Sequence, residues 1–206
     1  MIFGTVFTGH VKTQEHQWIE SKVFCLGIPL YVTTTMLVTE VTGSGGRLGI
    51  EIKTNKISIA AAVIRPIITI FFVFSVAAFI ANYDEMLWLL APAVTTTALF
   101  VYSWFFFGKT TKRERFVRKQ FGTLVGIYFM PHWLDSNTVQ SYINRLKEAY
   151  ISHFGTTDWK VKLKGLKYED DAFTICYCLT ALENTIAYDA ETDRMLNEIA
   201  AHNPAI

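Results

Sequence analysis

The sequence predicts a membrane α+β protein, with a two-helix transmembrane hairpin between a small antiparallel β segment and an α-rich cytoplasmic domain. Three observations carry this expectation. Two long apolar stretches, Ile57 to Ala81 and Met86 to Phe107, are joined by the polar link Asn82-Tyr83-Asp84-Glu85. Each is long enough to cross a bilayer core, which takes roughly 20 apolar residues at about 1.5 Å rise. The residues before them are β-branched and aromatic with frequent turn signals, and those after them carry helical apolar spacing. The expected organisation is residues 1–56 as β segment, 57–107 as hairpin and 108–206 as α-rich domain.

In the β segment, Phe3 to Val11, Trp18 to Leu26, Leu30 to Val41 and Leu48 to Ile52 read as strands. Gln14-Glu15-His16, Gly27-Ile28-Pro29 and Thr42-Gly43-Ser44-Gly45-Gly46 separate them, which implies an antiparallel meander. So small a sheet cannot cover its own apolar face. It is expected to lean on the C-terminal domain, the membrane surface or another subunit. The glycine-rich stretch Thr42 to Gly49 lacks the Gly-Lys-Ser/Thr ending of a phosphate loop and joins strand to strand, so it reads as a plain turn.

The run Trp18-Ile19-Glu20-Ser21-Lys22, then Leu26-Gly27-Ile28-Pro29-Leu30 and Thr34-Thr35-Met36-Leu37-Val38, resembles a pattern in uncharacterised bacterial membrane proteins. There, a W-x-E-S and G-I-P-L β segment precedes a transmembrane hairpin. The resemblance covers the first 60 residues or so and implies no activity. The G-I-P-L part also resembles a segment of small bacterial zinc-ribbon proteins. Their flanking cysteine pairs are missing here, where only Cys25 stands, so zinc is not carried over.

The flanks of the hairpin predict its orientation. Lys53 and Lys56 precede it, Lys109, Lys112, Arg113, Arg115, Arg118 and Lys119 follow it, and the link carries only Asp84 and Glu85. By the positive-inside rule both termini face the cytoplasm. Tyr83, Trp88, Tyr102 and Trp104 suit interfacial anchoring. The basic cluster reads as a topology signal that also touches anionic headgroups, each charge contributing about 1 kcal/mol near the surface. A docking site for an acidic partner is the alternative.

Within the first apolar stretch, Arg65 costs at least roughly 2.5–3.5 kcal/mol if left in hydrocarbon, so it needs a partner or an escape route. One reading puts Ile57 to Ile64 at the interface, with Arg65 reaching to headgroups and Pro66 in the first turn of the true helix. Pro66 to Ala81 then crosses with slight thinning. The other reading pairs Arg65 with an acid of a partner subunit or with an anionic lipid. The hydroxyls of Thr95, Thr96, Thr97 and Ser103 are expected to bond back to the backbone or across to a neighbour. Ala77, Ala78 and Ala81 are expected to allow close helix packing. Phe71, Phe72, Phe74, Phe105, Phe106 and Phe107 face lipid or pack. No Asp, Glu, Lys or His lies at the centre of either stretch, so the hairpin alone is no proton or ion path.

In the C-terminal domain, Phe116 to Phe129 continues as an amphipathic helix broken at Met130-Pro131. Asp135 or Ser136 caps a helix to about His153, with Gly155 as its stop and Val139, Tyr142, Ile143, Leu146, Ala149 and Tyr150 on its apolar face. Trp159-Lys160-Val161-Lys162-Leu163-Lys164 alternates strictly and reads as a strand with a lysine edge, able to extend the N-terminal sheet. Asp170-Asp171 opens a helix that turns Phe173, Cys176, Tyr177, Thr180 and Ile186 inward, and Glu191 to Ala201 forms another.

A net charge of +1 gives no case for nucleic acid as a partner. Cys25, Cys176 and Cys178 form no C-x-x-C pair and read as reduced, mostly buried thiols. The start of the chain lacks a basic region and a cleavage site, so the first membrane helix is expected to be its own insertion signal. There is no nucleophile elbow, H-E-x-x-H or dinucleotide fingerprint, and His10, His16, His132, His153 and His202 are scattered. Glu20 reads as solvent-facing or as a cross-strand partner of Lys22. No catalytic, metal or cofactor residue is therefore expected. The residues expected to touch a partner or lipid are Arg65, Lys109, Lys112, Arg113 and Arg115. The expected role is a noncatalytic accessory or scaffold subunit in the bacterial cytoplasmic membrane, with lipids and other subunits or copies of itself as partners. The alternatives are a homo-oligomeric channel or transporter component and a membrane-bound lipid-handling enzyme.

Overall fold

A computed structural model describes residues 3–26, 29–43, 46–82, 87–168 and 170–202. The chain is α+β: a small antiparallel sheet of four strands is followed by helices. The strands β1 (Phe3–Gln14), β2 (Gln17–Leu26), β3 (Pro29–Val41) and β4 (Arg47–Ile52) lie in sequence order, as a meander requires. Among the described residues the α-helices are α1 (Lys56–Ala81), α2 (Leu90–Phe105), α3 (Lys112–Val125), α4 (Ser136–Phe154), α5 (Trp159–Leu163), α6 (Asp171–Ile186) and α7 (Ala190–His202). They fall into two compact units, one of residues 1–50 with 54–109, the other of 51–53 with 110–206.

In the first unit the sheet covers its apolar face with the start of the helix that follows it. Ile19, Ser21, Val23, Thr35 and Leu37 are buried on alternating positions of β2 and β3. The buried residues of α1 are Ser58, Ala61, Ala62 and Arg65, the i, i+3, i+4, i+7 stripe of one helix face. The Ser21 hydroxyl donates to the Ser58 hydroxyl at 2.9 Å, and the Ser58 hydroxyl donates to the Gly9 carbonyl at 2.9 Å. Small residues let helix and strand approach closely. An ideal Cβ on Gly9 would lie 2.1 Å from the Ser58 carbonyl oxygen.

This packing overturns the expectation that Pro66 sits in the first turn of a helix. Asn55 caps α1, accepting from the Ser58 amide at 3.0 Å, and Pro66 lies inside the continuous helix. A proline in a helix interior costs about 3 kcal/mol. The turns before it are held by their burial against the sheet, so the helix runs through.

Beyond Arg65, α1 has no buried residue, and α2 has only Ala93 and Ser103. Their mutual contact uses the stacked rings of Phe72 and Phe100, 4.6 Å apart, and a 2.6 Å hydroxyl pair between Ser75 and Thr96. Ala77 and Ala81 are exposed instead of packed. The helix hydroxyls bond back as expected: Thr95 to Ala91, Thr97 to Ala93 and Ser103 to Phe100 carbonyls, at 2.7–3.0 Å. Of the expected anchors, Trp88, Tyr102 and Trp104 are exposed. Tyr83, and with it Asp84 and Glu85 of the link, lies outside the described residues.

The second unit is helical. Thr111 and Glu114 form a capping box at α3, which ends at Gly126 in the left-handed region. Asp135 caps α4, and Gly155 stops it with φ +66°. Phe116, Phe121, Phe129, Ile143, Tyr150, Leu179 and Leu182 fill the core. Cys176 and Cys178 are free and buried, and burial pushes the Cys178 thiol well up. Arg118, expected among the topology-setting charges, is fully buried. Its Nε donates to the Tyr128 carbonyl at 2.8 Å, and its guanidinium lies 5.2 Å from the Trp133 ring centroid. Burial lowers its pKa to about 10, so it stays charged at neutral pH.

The expected lysine strand is a short helix, α5. Six residues of strict alternation also satisfy i, i+4 spacing, and Trp159 and Leu163 are both buried on one helix face. Val161, which a half-buried strand would turn inward, is 72% exposed. Lys160 pairs with Glu183 at 3.5 Å, and the Lys162 ammonium lies 4.6 Å from the Phe154 ring centroid. Ile186, expected inside, is exposed at the end of α6.

Candidate functional site

The base of the hairpin, within the first unit, gathers charged, aromatic and hydroxyl side chains around a cavity of about 540 Å³. Its construction begins in β1. Between the pairs Thr8–Ser21 and Val11–Ile19 the strand carries an extra residue, and a second irregularity follows before Gln14–Gln17. Gly9 with φ +76° and Lys12 with φ +57° mark these bulges. A bulge removes carbonyls from the strand ladder and leaves them in need of donors.

Helix α1 supplies those donors, and the end of α2 supplies an acceptor in return. The Gly9 carbonyl takes the Ser58 hydroxyl, and the His10 carbonyl takes Arg65 Nη1 at 2.7 Å. The Lys12 amide donates to the Gly108 carbonyl at 2.8 Å, just past α2. Arg65 Nε also donates to the Ser103 carbonyl at 2.9 Å, and Nη2 to the Phe107 carbonyl at 3.2 Å. Carbonyls at a helix C-terminus lack intrahelical donors and carry the negative end of the dipole, so a cation is favoured there. The guanidinium lies 5.5 Å from the Trp104 ring centroid, and Trp104 Nε1 donates to the Thr69 hydroxyl at 3.3 Å. The partner that Arg65 requires is thus intrachain. One side chain ties together β1, α1 and the end of α2, and it is 9% exposed.

On the sheet side, Glu20 is 4% exposed and ion-paired with Arg47 on β4, in place of the expected solvent or Lys22. His10 Nδ1 lies 3.8 Å from Glu20 Oε1, and Nε2 shares a 2.8 Å hydrogen bond with the Thr13 hydroxyl. The His10 ring stacks on Trp18 with centroids 4.8 Å apart. Burial is the main force lowering the His10 pKa, opposed by Glu20 and reinforced by Arg65 and Arg47. Among the described residues, the Arg65 guanidinium meets carbonyls and the Trp104 ring, while the Glu20 carboxylate is ion-paired with Arg47.

Of the residues expected to touch a partner or lipid, Arg65 and Lys109 fall in the first unit and Lys112, Arg113 and Arg115 in the second. Only Arg65 lines this cavity. Lys109 is exposed, its ammonium 4.8 Å from the Phe106 ring centroid. Lys112 and Arg115 are exposed on α3, and Arg113 pairs with Asp193 at 3.6 Å. Sequence reasoning missed His10, Glu20, Thr69 and Trp104 as neighbours of Arg65. Two signals pointed there: an isolated glycine within a strand, which marks a bulge, and an arginine in an apolar run, which demands acceptors.

Among the described residues, no group of His, Cys, Asp and Glu side chains is arranged to hold a metal ion. No protein-family model matches the chain, and no curated protein or solved structure matches it either.

Proposed function

We propose that this protein is anchored in the bacterial cytoplasmic membrane by the α1–α2 hairpin and serves there as a noncatalytic accessory or scaffold subunit of a membrane protein complex. One observation carries the anchoring. Two helices long and apolar enough to cross a membrane, with mean hydropathy 2.3 and 1.3, have only 6% and 11% of their most apolar windows buried. A core helix of a soluble domain is mostly covered, and these are bare. Sixteen residues from Pro66 to Ala81 are about 24 Å of helix, short of the roughly 30 Å hydrocarbon core by an amount that modest thinning absorbs. Lysine and arginine at both outer flanks support cytoplasmic termini, and the resemblance of the β segment supports the bacterial setting.

The accessory reading rests on the distribution of polar groups. The hydroxyls a channel would line up, Thr69, Ser75, Thr95, Thr96 and Thr97, are bonded to backbone carbonyls one turn earlier. Those bonds count against a homo-oligomeric conduit. The cavity around Arg65 favours a second reading, a lipid-handling role at the interface. Purification of the tagged protein in mild detergent, followed by native mass measurement and identification of co-eluting chains, tests the proposal. Stoichiometric foreign membrane subunits are the expected result. A pure homo-oligomer or a lone protomer overturns it.

A further inference from the structure

The cavity at the hairpin base carries a more specific inference, which rests on the membrane anchoring proposed above. Its wall combines the apolar Phe7, Pro66, Ile70 and Trp104 with polar groups that include His10, Glu20 and Arg65. That combination, in a volume of about 540 Å³, is the pattern of a ligand site and not of a packing defect. Burial also falls along the hairpin. Arg65 is the last buried residue of α1, and Ile70, a turn and a half further on, is 55% exposed. Arg65 therefore sits where the sheet-covered part of α1 stops, and Ile70 sits where the bare part begins. An occupant with one charged end and one hydrocarbon end matches both.

The sign of the charged end follows from the groups present. Arg65 donates to three carbonyls and, among the described residues, forms no ion pair with a carboxylate. Glu20, which also lines the cavity, is ion-paired with Arg47, so the Arg65 charge is not cancelled by it. A guanidinium has five N–H donors in a planar fork suited to phosphate oxygens, and three are used here. We propose that this cavity binds one phospholipid of net negative charge, its phosphodiester on Arg65 and one acyl chain along Ile70 and Trp104.

Full-length protein in mild detergent is titrated with phosphatidylglycerol, phosphatidylcholine, glycerol phosphate and inorganic phosphate, and bound species are counted by native mass spectrometry. One phosphatidylglycerol per protomer is expected, retained at least tenfold more tightly than phosphatidylcholine, with negligible binding of the soluble phosphates. Arg65→Gln is expected to abolish the preference. Because Arg65 also ties the hairpin together, Ile70→Trp provides a second variant that narrows the cavity without touching the guanidinium. It is expected to weaken retention at least tenfold with an unchanged melting temperature. Equal retention of the two lipids, tight binding of a soluble phosphate, or full retention by Ile70→Trp overturns the lipid site. Carbonate extraction is run alongside. A carbonate-resistant protein without lipid preference leaves the anchoring intact, whereas an extractable protein overturns both.

Discussion

Replacing Gly9 by alanine puts a methyl group where the structure has a helix backbone. The new Cβ would lie 2.1 Å from the Ser58 carbonyl oxygen and 3.1 Å from the Ala62 Cβ, and the residue is held at φ +76°. The left-handed conformation costs an L residue roughly 1–2 kcal/mol, and forcing apart a packed strand and helix adds roughly 1–3 kcal/mol. A loss of about 3 kcal/mol lowers the melting temperature by roughly 6–12 °C for a chain of this length. Tryptophan fluorescence of detergent-solubilised protein during heating reads the change, since Trp18 and Trp104 both belong to this unit. Gly165→Ala is the control: its nearest neighbour would be the Lys162 carbonyl oxygen at 3.8 Å, and no shift is expected. If Gly9→Ala melts with the wild type, β1 does not lie against α1 at this bulge, and the construction of the Arg65 site from it fails.

Arg118→Met removes the donor to the buried Tyr128 carbonyl and is expected to cost about 2–3 kcal/mol, read as a lowered denaturation midpoint of the second unit. An unchanged midpoint would relieve Arg118 of its structural role. Burial alone would raise the Glu183 pKa, but hydrogen bonds from Lys147 and Trp159 and the charges of Lys147 and Lys160 hold it below the ordinary value. A carboxyl with a depressed folded pKa stabilises above its unfolded pKa of about 4.3 and loses that stability as pH falls through the folded value. Glu183→Gln should therefore lower stability at pH 7 and flatten its decline below about pH 4.3, measured by urea melts across pH. His10, with a pKa lowered chiefly by burial, contributes in the same direction from about pH 6.5 downward. The wild type should lose stability on acidification in a step that His10→Gln lacks; parallel curves for the two would contradict this. A double-mutant cycle of Ser75→Ala and Thr96→Val should give a coupling of roughly 0.6 kcal/mol, at most about 1.7. Strict additivity would mean that the hydroxyls do not meet.

Much of the fold was legible because its signals are local. Strand composition and turn residues located the four strands of the meander, and apolar length located α1 and α2. Asp135 and Gly155 bounded α4, because capping acts through backbone groups within one turn. The lysine stretch 159–164 misled because six residues fit both periods. The choice was made by the Glu183 carboxylate and by the Tyr150 and Phe154 rings around it, supplied from α4 and α6.

An apolar hairpin with basic flanks, a β segment ahead of it and helices behind it follow from composition and periodicity, which act over a few residues. The role of Arg65 came from packing. Its acceptors, the carbonyls of His10, Ser103 and Phe107, lie 55, 38 and 42 positions away in the chain. They need donors because a bulge and a helix end leave backbone groups unpaired, and that need arises only once strand and helices are packed together.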